Sequence, residues 1–525
     1  MLITEILERN ARMYGSEIAL VERSPAVNRR VEITWKTFDD QANRVAQALI
    51  RKGIRKGDCV VHLMMNCIEW LPIYFGILRT GAWAVPLNFR FVAKTIQKCT
   101  QTAEAKAFIF GEEFIERVTS IKSEIDKTVQ HYIFSGPEAL CPEYAEPLDK
   151  VIQNESSEMP DISIQLSDNA ALYFTSGTTG TPKATLLTHR NLEFACFIEN
   201  RHHNQTHKDN FLCIPPLYHT GAKMHWFGNF IVGARSVILK GIEPRWILEA
   251  ISEEKITVVW LLVPWALDIL FAIENREIKL ENYELDQWRL MHIGAQPVPP
   301  SLIKEWKKIF PNHQYDTNYG LTETTGPGCV HLGIENMHKV GAIGVPGFDW
   351  EFKIVDDKRQ PLPQGKIGEL MLKGPGVMKE YYKNPTATAE TIFDGWLLTG
   401  DMARLDEDGF IWLVDRKKDV IITGGENIYP VDIEDFLQSH PKIKDVAVIG
   451  LPSLRLGEIA AAIIQIKPGQ ELTAREIEDY CAELPRYKRP RRIIFGDVPR
   501  NPTGKIEKPK LRKQYAGAME SFKIG

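Results

Sequence analysis

The stretch YFTSGTTGTPKATLLTHRN, Tyr173 to Asn191, has the makings of an anion site. Gly177 and Gly180 let a chain come close to a ligand. Thr175, Ser176, Thr178 and Thr179 offer hydroxyl donors, and Lys183 brings a full positive charge. A glycine-rich loop between a strand and a helix presents successive backbone N–H groups to phosphate, and that placement is expected here. The spacing is not GxxxxGK[ST], because Lys183 follows Thr181 and Pro182. The pairs Gly365-Lys366 and Gly504-Lys505 lack the upstream glycine and the following Ser or Thr, and no GxGxxG occurs. Ordinary P-loop and dinucleotide-binding enzymes therefore lose support. A second charged feature, YKRPRR at 487–492, is the densest positive cluster. It suits a phosphorylated ligand or a solvated helix end.

Elements must hold these groups. Thr4 to Tyr14 places Ile6, Leu7, Asn10 and Met13 near one face, a helical spacing. From there to about residue 350, apolar runs such as CVVHLMM (59–65), AKAFIF (105–110), ALYFTS (171–176), SVILK (236–240) and TVVWLLV (257–263) alternate with helical patterns. That alternation predicts an α/β architecture with largely parallel sheets. Over 340–415, short strands (FKIVD, GELMLK, FIWLVD) separated by turns predict a small antiparallel or barrel-like unit. The last 110 or so residues read as a separate α+β domain. VAVIG (446–450) and AAIIQIKPG (461–469) are strands there, and a Thr473/Glu476 capping box opens a helix through Leu484.

The chain of 525 residues is too long for one core, so two or more domains are expected. A net charge of −4 gives no reason to invoke nucleic acid or an anionic membrane. Eight scattered cysteines without a CxxC pair fit reduced thiols better than disulfides or zinc. Glu5 and Glu8 occupy the region where a signal peptide would be basic and then apolar. The most apolar stretch, 258–267, is broken by Pro264 and stops at Asp268, short of the roughly 20 residues of a membrane span. A cytoplasmic chain is expected.

Downstream of the glycine-rich loop come PPLYHTGA (215–222), GAQP (294–297), NYGLTET (318–324), GWLLTGD (395–401), DRKKDVIITGGENIYP (415–430) and NPTGKI (501–506). With YFTSGTTGTPKA, this order resembles the adenylate-forming superfamily of acyl- and aryl-CoA ligases, peptide-synthetase adenylation domains and luciferases, over about residues 1–515. The resemblance implies a large N-terminal domain, residues 1–415, of two stacked α/β sheets plus a small β-barrel-like subdomain. A small mobile α+β C-terminal domain, 416–525, would hinge near Lys418. It also implies ATP, Mg2+ and coenzyme A. A carboxylate attacks the α-phosphate to give an acyl-adenylate and pyrophosphate, and a thiol then displaces AMP.

The same resemblance assigns residues. Thr175, Ser176, Gly177, Thr178, Thr179, Gly180 and Lys183 would hold the β- and γ-phosphates. Tyr319 would stack on adenine, with Asn318, Gly294, Ala295 and Gln296 completing that pocket. Thr322 would meet the α-phosphate and Glu323 the metal. Asp401 and Arg416 would hold the ribose, and Lys505 would reach the carboxylate and α-phosphate. His219 would stand where the acyl tunnel meets the adenylate, with Lys223 and Trp226 in the acyl pocket. Lys223 stands where several fatty-acyl relatives have a gating tryptophan, and it meets either an anionic tail or solvent. Lys417 would be a solvated charge. Gly424, Gly425, Arg489, Arg491 and Arg90 would meet CoA, with Glu426 in the same loop. Leu456 stands where some relatives carry an aromatic that packs on the CoA adenine.

The expected reaction is an AMP-forming carboxylate–CoA ligation of a medium-chain, cyclic, aromatic or carnitine-like acid. The alternatives are a stand-alone enzyme loading a carrier protein and a non-catalytic nucleotide-binding relative. A modular synthetase is not expected, since no carrier segment follows residue 525. Partners are small molecules, with a homodimer as the possible assembly.

Overall fold

A strand buried on both faces must be largely apolar, and Ala107–Gly111 and Val258–Leu262 are so throughout, while Cys59–Leu63 is so but for the buried His62. The computed structural model describes residues 1–175, 182–294, 298–331, 337–423, 426–453, 455–501 and 505–515. Among these, Cys59–Leu63 is central to an eight-stranded sheet. The order runs Glu380–Tyr381, Lys183–Thr188, Asn169–Thr175, Trp83–Pro86, Cys59–Leu63, Ala107–Gly111, His131–Ser135, Glu146–Pro147. A seven-stranded sheet runs Gln314–Asp316, Leu290–Gly294, Val258–Leu262, Asn210–Cys213, Arg235–Leu239, Ile18–Ser24, Arg29–Thr34. Pairing is parallel through most of both sheets.

Alternation along each strand divides the core. Val60 and Ile109 face a core shared with the seven-stranded sheet, through helices Trp35–Arg51, Trp70–Arg79 and Thr220–Phe230. Val61, Phe108 and Phe110 face the other side, under helices Ala93–Ala103 and Ile115–Ile125. A five-stranded antiparallel sheet contains Glu351–Val355, Gly368–Lys373, Trp396–Leu405 and Ile411–Arg416. It shares a core with the three-stranded sheet that begins at Asn318–Gly320. The third unit is a five-stranded sheet around Ile443–Ser453 and Gly457–Ile466, with helices Pro430–Gln438, Ala474–Tyr480 and Lys508–Tyr515. Its cores contain residues from Ile421 onward and none from earlier in the chain.

Several expectations need correction. The glycine-rich loop does not lead from a strand into a helix. It joins two antiparallel strands, with Thr175 opposite Lys183, and the helix His189–His203 starts only after the second. Pro264 marks where the apolar run divides, the strand Val258–Leu262 ending just before it. It lies in the first turn of the helix Val263–Glu274, where its missing N–H has no intrahelical partner to lose. The Thr473 capping box forms, yet the α-helix ends at Tyr480 and continues as a 3-10 turn, Cys481–Glu483. Met13 is exposed rather than on the buried face. No described helix is long and apolar enough to cross a membrane.

Candidate active site

The units meet around a cleft of about 2750 Å³. Thr175 and Lys183, at the two ends of the glycine-rich loop, line one end of it. Lys183 Nζ stands 4.6 Å from the centre of the Tyr381 ring. The Tyr381 hydroxyl donates to Glu323 Oε1 at 2.7 Å. Glu323 lies in the short 3-10 turn Thr322–Thr324, and Thr322 lines the cleft beside it. Tyr381 thus joins the expected phosphate lysine to the expected metal carboxylate. Sequence reasoning missed it, because it sits on a two-residue edge strand with no periodicity to mark it. Ser176, Gly177, Thr178, Thr179 and Gly180 lie outside the described residues, as do Ala295, Gln296, Gly424 and Gly425.

Asp401 and Arg416 are opposed across paired strands, and Arg416 Nε lies 2.9 Å from Asp401 Oδ1. The Tyr319 hydroxyl donates to the other carboxylate oxygen at 2.5 Å. The Asp401 charge holds the Arg416 guanidinium above its ordinary value, and burial first, then Asp401, raises the Tyr319 phenol. Gly294 ends its strand at Thr317, where an added Cβ would come 3.6 Å from Thr317 Oγ1. Asn318 also lines the cleft. Its side chain turns away from Tyr319, toward Glu199 Oε1 (3.5 Å) and His225 Nε2 (3.4 Å). Adjacent residues of a strand point to opposite faces.

Lys505 reaches this cleft from near the C-terminal end of the described chain. Its ammonium is pushed down to about 8, first by desolvation and then by Arg416, while Asp401 and Glu323 pull the other way. His219 caps the helix Thr220–Phe230, accepting the Gly221 N–H on Nδ1 at 3.1 Å. Burial and then Lys505 push its imidazole to about 4, so it is neutral and carries its proton on Nε2. Lys418 lines the same cleft, with its amine lowered by burial. Lys417 is exposed, as expected of a solvated charge, and pairs at the surface with Asp357 (2.8 Å) and with Glu369 (3.2 Å). Asp415 crosses the junction: its Oδ2 accepts the Val431 N–H at 3.1 Å, in the first turn of Pro430–Gln438.

The expected acyl residues Lys223 and Trp226 do not line the cleft. They are three apart on the helix, so they share a face, and that face is turned into the core. Trp226 packs on Phe38, Phe75 and Phe230. Lys223 is neither in solvent nor at an anion. Its buried Nζ lies over Tyr173 (4.2 Å), Tyr74 (4.3 Å) and Trp70 (5.4 Å), with no hydrogen-bond partner among the described residues. Burial drives its pKa well down. The cleft face of the helix instead carries Gly221, Met224 and His225. Opposite stand Trp260 and Glu199, both also missed by sequence reasoning, because neither belongs to a motif.

Of the expected CoA residues, Arg90 lines the cleft and is exposed. Arg489 and Arg491 do not line it. Arg489 spends its guanidinium on the carbonyls of Leu484 (2.9 Å) and Ala482 (2.7 Å), which close the preceding turn. Arg491 is exposed, and its backbone N–H joins Ala460.

The model of the AMP-binding enzyme family matches residues 7–382, and that of the AMP-binding enzyme C-terminal domain matches 432–505. The long-chain-fatty-acid–CoA ligase FadD13 of Mycobacterium tuberculosis is 32% identical, over 93% of this chain and 94% of its own. A feruloyl-CoA synthase of Amycolatopsis is 30% identical over 92% and 94%. The crystal structure of the anthranilate CoA ligase AuaEII with anthranoyl-AMP superposes with a TM-score of 0.90 at 26% identity, covering 99% of this chain and 98% of that one. Two family models in sequence order, full-length relatives and a shared fold place this chain in the AMP-binding enzyme family, within the adenylate-forming superfamily.

Proposed function

We propose that the protein is an ATP-dependent, AMP-forming carboxylate–CoA ligase built of units 1–415 and 416–525. One observation carries the reading. Lys505, from the far end of the chain, stands in one cleft with Arg416, Asp401, Glu323 and His219. Bringing a carboxylate to a triphosphate joins two anions, and mobile and fixed cations must offset that repulsion. Lys183 and the glycine-rich loop would take the β- and γ-phosphates. Lys505 would bridge the acid and the α-phosphate, and Asp401 the ribose.

Mg2+ prefers oxygen ligands. Glu323 fits it, with a carboxylate in the cleft whose Oε1 accepts the Tyr381 hydroxyl. The ion would supply charge neutralisation at the phosphates. Attack of a carboxylate oxygen on the α-phosphorus expels pyrophosphate. Attack of a thiolate on the acyl carbon then expels AMP.

Relatives are named for long-chain, feruloyl, crotonobetaine/carnitine and 4-hydroxybutyrate substrates, which supports the reaction class and leaves the acid open. The unpaired cysteines support a reducing compartment such as the cytoplasm. AMP release from ATP is measured with short, medium, cyclic, aromatic and dicarboxylic acids, with and without CoA. CoA-dependent turnover with one class is expected. Acid-dependent pyrophosphate exchange that ignores CoA would instead indicate a carrier-protein acceptor.

A further inference from the structure

We propose that the acyl end of the cleft holds a donor-reading subsite, with Glu199 as its acceptor, for a carboxylic acid bearing a hydroxyl or amine at its far end. The proposal rests on the ligase reading and names its substrate class.

Glu199 lies on the helix His189–His203, wholly buried, and lines the cleft. Its Oε1 receives one long hydrogen bond, from Asn318 Nδ2 at 3.5 Å. Its Oε2 accepts none among the described residues, and the His203 Nδ1 that faces it is 3.8 Å away. No lysine or arginine pairs with it. A buried carboxylate without donors is costly, and a group is kept there when something completes it.

The neighbouring imidazole cannot do so. His225 donates Nδ1–H to the Gly221 carbonyl at 2.6 Å, which leaves Nε2 as an acceptor for Asn318. Glu199 and His225 thus both present lone pairs, and within hydrogen-bonding distance only the Asn318 amide serves them among the described residues, since His203 Nδ1 and His225 Nδ1 stand 3.8 and 3.7 Å from the carboxylate. A ligand donor is the missing part. The raised carboxyl, about 7 and due first to burial, is what an unfilled acceptor of this kind shows.

The geometry sets the ligand's length. His219, beside Lys505, caps the helix that carries His225 six residues later, so the two are about 9 Å apart along the axis. That distance spans about seven extended covalent bonds. The walls between are flat. The Trp260 indole stacks on His225 at 4.3 Å and 10°, and a Cβ on Gly221 would come within 3.1 Å of it. A para-substituted cinnamate and an ω-substituted heptanoate both have this reach.

The test compares isosteres that differ only in the donor: para-hydroxycinnamate against para-methylcinnamate, and ω-hydroxyheptanoate against octanoate. Wild-type kcat/KM for AMP release should favour each hydroxy acid about tenfold or more, since a buried acceptor left unpaired penalises the methyl analogue. Glu199→Met should erase that preference while leaving turnover of octanoate within about threefold. Equal rates for the isosteres in wild type, or an unchanged preference in E199M, overturns the proposal. Should E199M not fold, Glu199→Gln keeps the shape and removes the charge. The advantage of ω-aminoheptanoate over ω-hydroxyheptanoate should then fall about tenfold, and an unchanged ratio overturns the proposal equally. Calorimetric binding of the free acids separates the two readings. Tighter binding of the hydroxy acids without AMP release from any acid keeps the subsite and removes the ligase. Turnover without discrimination does the reverse.

Discussion

Lys505 is held in the cleft with its amine pushed down to about 8, by desolvation first and by the Arg416 charge second. Only the ammonium can bridge a carboxylate and an α-phosphate. The kcat/KM for ATP–pyrophosphate exchange should therefore follow the protonated fraction of free enzyme. With a value of about 8, that fraction falls from about 90% at pH 7 to about 9% at pH 9, roughly a tenfold loss. The sign follows from the direction of the shift. An ordinary lysine near 10.4 would stay charged through this range, and lowering its pKa moves the loss of charge into it. Lys505→Arg, charged at every assay pH, should lose absolute rate but also lose the descending limb. Arg416→Gln removes the second cause and should move the limb upward. His219, already neutral at about 4, should add no acidic limb above about pH 5. The assay is isotope exchange with ATP and acid both well below saturation, between about pH 6.5 and 9.5. A flat wild-type profile, or the same limb in K505R, refutes the argument.

Lys418→Pro should stall the enzyme after adenylation, giving pyrophosphate exchange but about a hundredfold less thioester, because proline removes the backbone freedom a hinge needs; unchanged thioester output moves the hinge elsewhere. Tyr381→Phe removes the hydroxyl that holds Glu323 and should raise the Mg2+ needed for half-maximal exchange about three- to tenfold, read from a metal titration. Trp226→Ala should cost about 3–5 kcal/mol in urea unfolding and leave the order of preferred acids unchanged, since the ring packs in the core. Lys223→Met should leave stability at pH 7 equal or raise it by about 1–4 kcal/mol, with the pull of three rings offsetting part of the gain. The lowered amine means the folded state binds fewer protons than the unfolded one, so wild-type stability should rise with pH toward the ordinary lysine value. The variant should flatten that slope, and parallel slopes contradict the burial argument.

The cluster proposed as the reaction centre was legible because its residues sit in short contiguous motifs that local spacing exposes. Tyr319, Glu323, Asp401, Arg416 and Lys505 come from four separate segments, and the structure gathers them in one cleft. The acyl wall was not legible. Helix phase decides which side chains face a cavity, and Lys223 and His225, two residues apart, point to different surroundings. Neither composition nor a motif reveals that phase when both faces of Thr220–Phe230 are buried. Glu199 was hidden for the same reason, lying in a helix with apolar and polar residues buried together. The orientation of the basic cluster was not legible, because charge density says nothing of it: Lys488 lines the cleft while Arg489 turns back onto its own turn. The loop's setting was misread because Lys183–Thr188 is a six-residue strand squeezed between glycines and a helix cap, and its apolar middle reads as a helix entry.

The hairpin that carries the glycine-rich loop constrains how such a site can change. Thr175 and Lys183 are register partners, and the ladder continues through Phe174–Ala184 and Tyr173–Thr185. In a strand, every second side chain shares a face, so a slip of one residue turns all of them over. Lys183 would then leave the Tyr381 side for the opposite surface, and Ala184 would take its place. Residues within the loop can be exchanged for others of similar freedom without disturbing that ladder. Their number is a different matter. An odd insertion must be absorbed between Thr175 and Lys183, or else it moves a charge from one side of a sheet to the other. Parity, more than composition, is what this segment has to inherit.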